Sequence, residues 1–82
     1  MEQLAAALKV ALGNTFVMYS KAHSYHWNVE GTNFPQFHEF FGDLYEEVYG
    51  AVDPIAEAIR TLNVYAPISV TDIISASSIE ED

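Results

Sequence analysis

Five side chains in this sequence have the chemistry to hold a metal ion or move a proton: His23, His26, His38, Asp53 and Glu57. Asp53 and Glu57 are four residues apart, so on a helix they share a face and both can reach one ion. Acidic pairs at that spacing are common on solvated surfaces, and the spacing alone says little. Their position says more, because Val52, Ile55, Ala56 and Ile59 beside them are apolar. A carboxylate bordering a core needs a partner to offset its desolvation. His38 lies fifteen residues before Asp53. On one continuous helix that separation is about 22 Å along the axis, whereas metal bonds to imidazole nitrogen and carboxylate oxygen are roughly 2.0–2.2 Å. One ion therefore cannot bind both residues of a single chain. If two copies lay their second helices antiparallel about a twofold axis, His38 of one approaches Asp53 and Glu57 of the other.

Plainer roles compete for each residue. A lone histidine near a helix end is more often a surface or capping residue, and His23 is read that way first. The aromatic run Phe34, Phe37, Phe40, Phe41, Tyr45 and Tyr49 reads as packing, within the chain or between chains. Trp27, next to His26, is either a core residue or an aromatic that traps oxidising equivalents beside a redox centre. Glu46, Glu47 and the acidic tail read as solvated charge. On the residues alone, a metal site at His26, His38, Asp53 and Glu57 is the minority reading.

Two helices must position these groups. From Leu4 to Trp27, residues Leu4, Leu8, Leu12, Phe16, Tyr19, Ala22 and His26 fall at steps of three and four, the mark of one helical face. Gly13 and Asn14 interrupt that helix, allowing a kink. The stretch from Glu30 to Pro35 is a break: Gly31 can end the first helix, Asn33 can cap the next and Pro35 suits its first turn. Phe37, Phe41, Leu44, Val48, Val52, Ile55, Ile59 and Leu62 then make an almost unbroken stripe for a second helix. Gly42 and Gly50 weaken it. Pro54 removes a backbone hydrogen bond and clashes with the Gly50 carbonyl, so a kink is expected near residues 50–54, with glycine at 50 relieving part of the clash. A short helix is expected over Ser69 to Ala76. Ser77 with Glu80, or Ser78 with Glu81, has the form of a capping box. A helix start with no helix after it suggests the front part of a longer ancestral protein.

Composition narrows the function. Half of the 82 residues are hydrophobic, which suits one domain over 1–82, but a two-helix hairpin of this size has only a marginal core. Pairing two hairpins into a four-helix bundle solves that problem, so self-association as a homodimer or larger oligomer is expected. Three Lys and Arg against twelve Asp and Glu give a formal charge of −9. Lys9, Lys21 and Arg60 are too scattered to bind phosphate backbones, which argues against a nucleic-acid partner, while an acidic surface attracts cations. With no cysteine there is no disulfide, thiolate metal site or cysteine nucleophile. The start has no basic leader and no apolar run reaches membrane-spanning length, so a soluble, cytoplasmic protein without a membrane partner is expected.

The stretch Lys21 to Gly31 (KAHSYHWNVEG), then Phe34, then Phe37-His38-Glu39, and later Asp53 to Arg60 (DPIAEAIR) closely resembles the Dps, or miniferritin, family. That family has His-Trp-Asn ending its first helix, His-Glu early in its second and Asp-x-x-x-Glu later in it. All three occur here in order and spacing, over roughly residues 10–80. The resemblance implies an all-α, ferritin-like fold, of which the first two long helices and a short connecting helix are present. It implies non-haem iron as the metal, bound between subunits, with His26 and His38 from one chain and Asp53 and Glu57 from its partner. Ferrous iron would be oxidised there by hydrogen peroxide or oxygen, Glu57 bridging or chelating and Trp27 lying beside the centre. Imidazole and carboxylate suit such a borderline-to-hard ion.

Four features depart from the family pattern. Where the family often has an Asp one turn after the second His, this chain has Gly42, with Asp43 one step away. Pro54 follows a presumed ligand. There is no lysine-rich amino-terminal arm for DNA. The family's third and fourth helices, which help build its shell, have no counterpart here. Two functions thus fit: an iron-binding ferroxidase that sequesters iron and protects against oxidation, or a non-catalytic ferritin-like assembly module of phage or mobile-element origin.

Overall fold

The computed structural model of the protein describes residues 2–80, which are all-α with no strand among them. Helix α1 (Glu2–Asn28) runs most of the length of a slender body, 50 × 21 × 18 Å. Helices α2 (Phe34–Tyr49) and α3 (Val52–Thr61) return along it, and the short α4 (Val70–Ser75) folds back onto its first half.

Helix α1 runs unbroken through Gly13 and Asn14, one helix as expected. Gly13 has a different role. An ideal Cβ there would stand 2.7 Å from the Ile73 carbonyl oxygen and 2.9 Å from the Ser77 nitrogen, so only glycine lets the chain after α4 lie on α1. Asn14 fastens that contact. Its Oδ1 accepts from Ser78 N (2.7 Å) and Ser77 Oγ (2.8 Å), while its Nδ2 donates to Ser78 Oγ (3.1 Å). The Ser77–Glu80 capping box is therefore not made. Ser77 Oγ is turned to Asn14 and accepts from Ile79 N instead (3.0 Å), and residues 77–80 are not helical. The alternative pairing of Ser78 with Glu81 lies partly outside the described residues.

The turn between α1 and α2 uses Gly31 at φ +104°, a left-handed conformation that L-residues rarely adopt. Asn33 occupies the N-cap position of α2 without a side-chain hydrogen bond, and Pro35 sits in the first turn. The cap expected from Asn33 is thus absent: at φ −99°, ψ 20° its backbone is outside the extended geometry that aims a capping side chain at N2 or N3. The expected kink near Pro54 is a full break into α2 and α3. Ala51 N bonds Val48 O (3.1 Å), three residues back, and helical bonding resumes with Ile55 N to Ala51 O (3.3 Å). Pro54 has no N–H for the Gly50 carbonyl, so the ladder loses a rung there. Gly50 itself is right-handed helical, and a Cβ on it would meet nothing nearer than 3.4 Å. Its lack of a side chain is not what makes room for Pro54. Asn63, at φ 62°, ends α3 in the left-handed form that asparagine tolerates.

The core is small. Ala5, Leu12, Val17 and Ala22 on α1 and Ile59 on α3 are its buried apolar residues. Leu4, placed on the α1 stripe, is exposed. Phe37 heads the second stripe but is 49% exposed, as are Phe40 and Trp27 to a still greater extent.

Candidate metal centre

His26 lies in the last turn of α1 and His38 in the second turn of α2, and the Gly31 turn brings them face to face. Their rings stack with centroids 3.6 Å apart. Each imidazole is held by the other residue's backbone: His26 Nδ1 is 2.6 Å from His38 O, and His38 Nδ1 is 2.7 Å from His26 O. A carbonyl oxygen only accepts, so each Nδ1 carries the proton and donates it. In the neutral ring Nε2 then keeps its lone pair, the form in which imidazole binds a metal. A helix end explains why the His26 carbonyl is available. The chain leaves α1 at Asn28, so His26 O has no intrahelical donor four residues on and takes the His38 ring instead.

Gly42 completes the arrangement. An ideal Cβ at this position would sit 3.2 Å from His26 Cε1 and 3.3 Å from His26 Nδ1, tighter than ordinary contact. A helical side chain leans back over the preceding turn, here the turn containing His38 O. Absence of a side chain at 42 is therefore what lets the His26 ring lie against α2. Replacing Gly42 with Asp, the acid its position suggests, is expected to push the His26 ring off His38 O, and Gly42→Ala to do the same. Long-range proton–nitrogen NMR of the imidazoles checks this: the fixed Nδ1–H form of His26 should be lost although helix propensity rises by about 1 kcal/mol. An unchanged His26 signal in Gly42→Ala would show that the contact relaxes without moving the ring.

Around this pair lies an aromatic layer. Phe34 stacks on His38 (4.9 Å) and Tyr45 lies 5.3 Å from His26. His23 is neither a surface residue nor a cap. It is half-buried, stacked on Tyr45 (3.9 Å, 6° between planes), against Trp27 (4.0 Å) and hydrogen-bonded through Nδ1 to the Tyr19 hydroxyl (3.0 Å). The spacing Tyr19, His23, Trp27 at successive fours was the available signal for this stack. Trp27 follows His26 in sequence but turns about 100° from it on the helix; the residue is 63% exposed, and its ring packs on His23. Asp53 and Glu57 lie on α3, both exposed, as is Asp43. Among the described residues no group of three or more His, Asp or Glu side chains gathers to hold an ion. The chain thus brings the two histidines together and presents the carboxylate pair separately.

The Ferritin-like domain family matches residues 5–81. A DNA protection during starvation protein of Brevibacillus brevis is 39% identical over 82 residues, covering 99% of this chain and 52% of that protein. General stress protein 20U of Bacillus subtilis is 36% identical over 80 residues, 98% of this chain and 55% of the relative. Among solved structures, the Dps protein of Vibrio cholerae, described as one of the ferritin-like diiron-carboxylate proteins, superposes with a TM-score of 0.92 at 33% identity, over 99% of this chain and 51% of that one. The chain belongs to the ferritin-like family. Within that family it is of the Dps type, and it spans about half the length of the curated relatives it matches.

Proposed function

We propose that this protein binds ferrous iron and promotes its oxidation by peroxide or oxygen at a site shared between two copies, sequestering iron and limiting oxidative damage. His26 and His38 of one copy supply nitrogen donors; Asp53 and Glu57 of the other supply oxygen donors. The observation that carries this is the reciprocal Nδ1-to-carbonyl bonding, which fixes both imidazoles with Nε2 free to bind a metal. The spacing of Asp53 and Glu57 on one face of α3 supports it, as does the description of the similar Vibrio cholerae Dps protein as one of the ferritin-like diiron-carboxylate proteins. Aromatic rings left exposed at the histidine end, including Tyr25, Trp27, Phe37 and Phe40, support burial against a second copy. Iron here is the substrate. The chain's residues bind it, hold the imidazole tautomers and shield the centre with Phe34 and Tyr45.

Mixing the protein with ferrous iron and hydrogen peroxide tests this, following iron oxidation spectrophotometrically alongside light scattering. Oxidation faster than the protein-free rate, by an associated species, is the expected result. Failure to bind or oxidise iron would favour the non-catalytic assembly module. A DNA partner is not part of the proposed function. The charge is −9, and Arg60 is engaged with Val64 O (3.1 Å) and the Tyr65 ring (4.8 Å). No retardation of duplex DNA is expected at physiological salt, and salt-sensitive retardation at micromolar protein would contradict that.

A further inference from the structure

We propose that Tyr19 and His23 form a redox-active pair, in which Tyr19 gives an electron to an oxidised Trp27 while its phenolic proton passes to His23 Nδ1. Tyr19, His23 and Trp27 follow one another at steps of four along α1 and so share a face. The Tyr19 hydroxyl is 3.0 Å from His23 Nδ1, within the range over which a proton moves directly between positioned groups. On its other side the His23 ring is 4.0 Å from the indole of Trp27. Donor, proton acceptor and electron acceptor are thus in unbroken contact.

The step balances. A one-electron oxidant of the azide-radical class removes an electron from the Trp27 indole and is reduced to azide; the N–H proton the oxidised indole releases to water is taken back from water when the indole is reduced. Tyr19 returns an electron to the indole, its O–H bond breaks and an N–H bond forms at His23 Nδ1. The products are intact Trp27, a Tyr19 phenoxyl radical and a protonated His23 hydrogen-bonded to the phenoxyl oxygen. This assigns His23 the tautomer with Nδ1 unprotonated in the resting pair, so that the hydroxyl donates. Tyr45 and Tyr49 also border the stack, at 6.2 and 4.7 Å from Tyr19. Among the described residues their hydroxyls have no imidazole to take the proton. Tyr19 therefore holds the radical. Tyr45 also lies 5.3 Å from His26, so the same rings lead from the histidine pair towards Tyr19 and away from the candidate iron ligands.

Pulse radiolysis with azide radicals tests the pair without iron, so its result is separate from that of the ferroxidase proposal. Trp27 is the sole tryptophan, which makes the indolyl signal specific. Expected in the full chain is first-order decay of the indolyl absorption matched by a rise of phenoxyl absorption, independent of protein concentration and slowed in heavy water. Tyr19→Phe should slow that rise at least tenfold. His23→Phe, which keeps an aromatic ring but removes the acceptor, should slow it similarly and abolish the solvent isotope effect. Tyr65→Phe, beyond α3, should leave it unchanged. An equally fast rise in Tyr19→Phe, or a transfer whose rate scales with protein concentration, would overturn the proposal. So would an unaltered rate and isotope effect in His23→Phe.

Discussion

Gly13→Val is expected to detach the segment after α4 from α1 and to lower stability by about 3 kcal/mol, combining overpacking at roughly 1–3 kcal/mol with weakened Asn14 hydrogen bonds at about 0.5–1.5 kcal/mol each. The cause is close backbone approach, since the atoms that a Cβ at 13 would strike are the Ile73 carbonyl oxygen and the Ser77 nitrogen. Backbone cannot step aside as a flexible side chain can. Gly13→Ala poses the sharper contest. Alanine gains about 1 kcal/mol of helix propensity, yet a contact at 2.7 Å is one that real Cβ atoms essentially never make, and the net sign should still be destabilising. Gly50→Ala should go the other way, rising by about 0.4–1 kcal/mol, because its backbone is already helical and its Cβ has room. Urea unfolding gives the magnitudes, and hydrogen exchange at the Ser78 amide, which now donates to Asn14, locates the effect. Stabilisation by Gly13→Ala, with Ser78 still protected, would show that the α4 segment shifts at little cost.

His38→Ala is expected to separate function from stability. His38 is half-buried, and the substitution removes one hydrogen bond, Nδ1–H to His26 O, worth about 0.5–1.5 kcal/mol. Even disturbing the groups that orient a metal ligand costs roughly 10–100-fold in metal affinity or activity, so loss of a ligand itself should lower iron oxidation by at least about 100-fold. His26→Ala should behave alike. A purely structural role for the two histidines would give the opposite pattern, with a lower urea midpoint and iron oxidation reduced only in proportion to the unfolded fraction.

Much of this was legible in the residues. The spacing of His26-Trp27-Asn28, His38-Glu39 and Asp53 to Glu57 pointed to the family, and the stripes on both sides of Gly31 marked the hairpin. What the sequence concealed was backbone chemistry. Gly13 and Asn14 read as a weak point in α1, because propensity records what glycine costs a helix but not that another segment needs the space it leaves. Gly42 read as a lost ligand for the same reason, although its missing side chain is what admits the His26 ring. Ser77 was drawn away from a capping role by Asn14, 63 residues earlier, a tertiary contact that local patterns do not contain. The tautomers of His26 and His38 follow from carbonyls exposed at a helix end and above a glycine, which residue types alone do not reveal.

Complementation between inactive variants tests the shared site most directly. One variant carries His26→Ala and His38→Ala; the other carries Asp53→Asn and Glu57→Gln. Each homodimer has lost half of every site, so neither should oxidise ferrous iron above background. In a mixed dimer with twofold symmetry, one of the two sites draws its histidines and its carboxylates from intact halves. Random co-refolding of equal amounts should then restore about one quarter of wild-type activity. A mixture that stays inactive while wild type oxidises iron, with mixed dimers verified by mass, would contradict a site built from two chains.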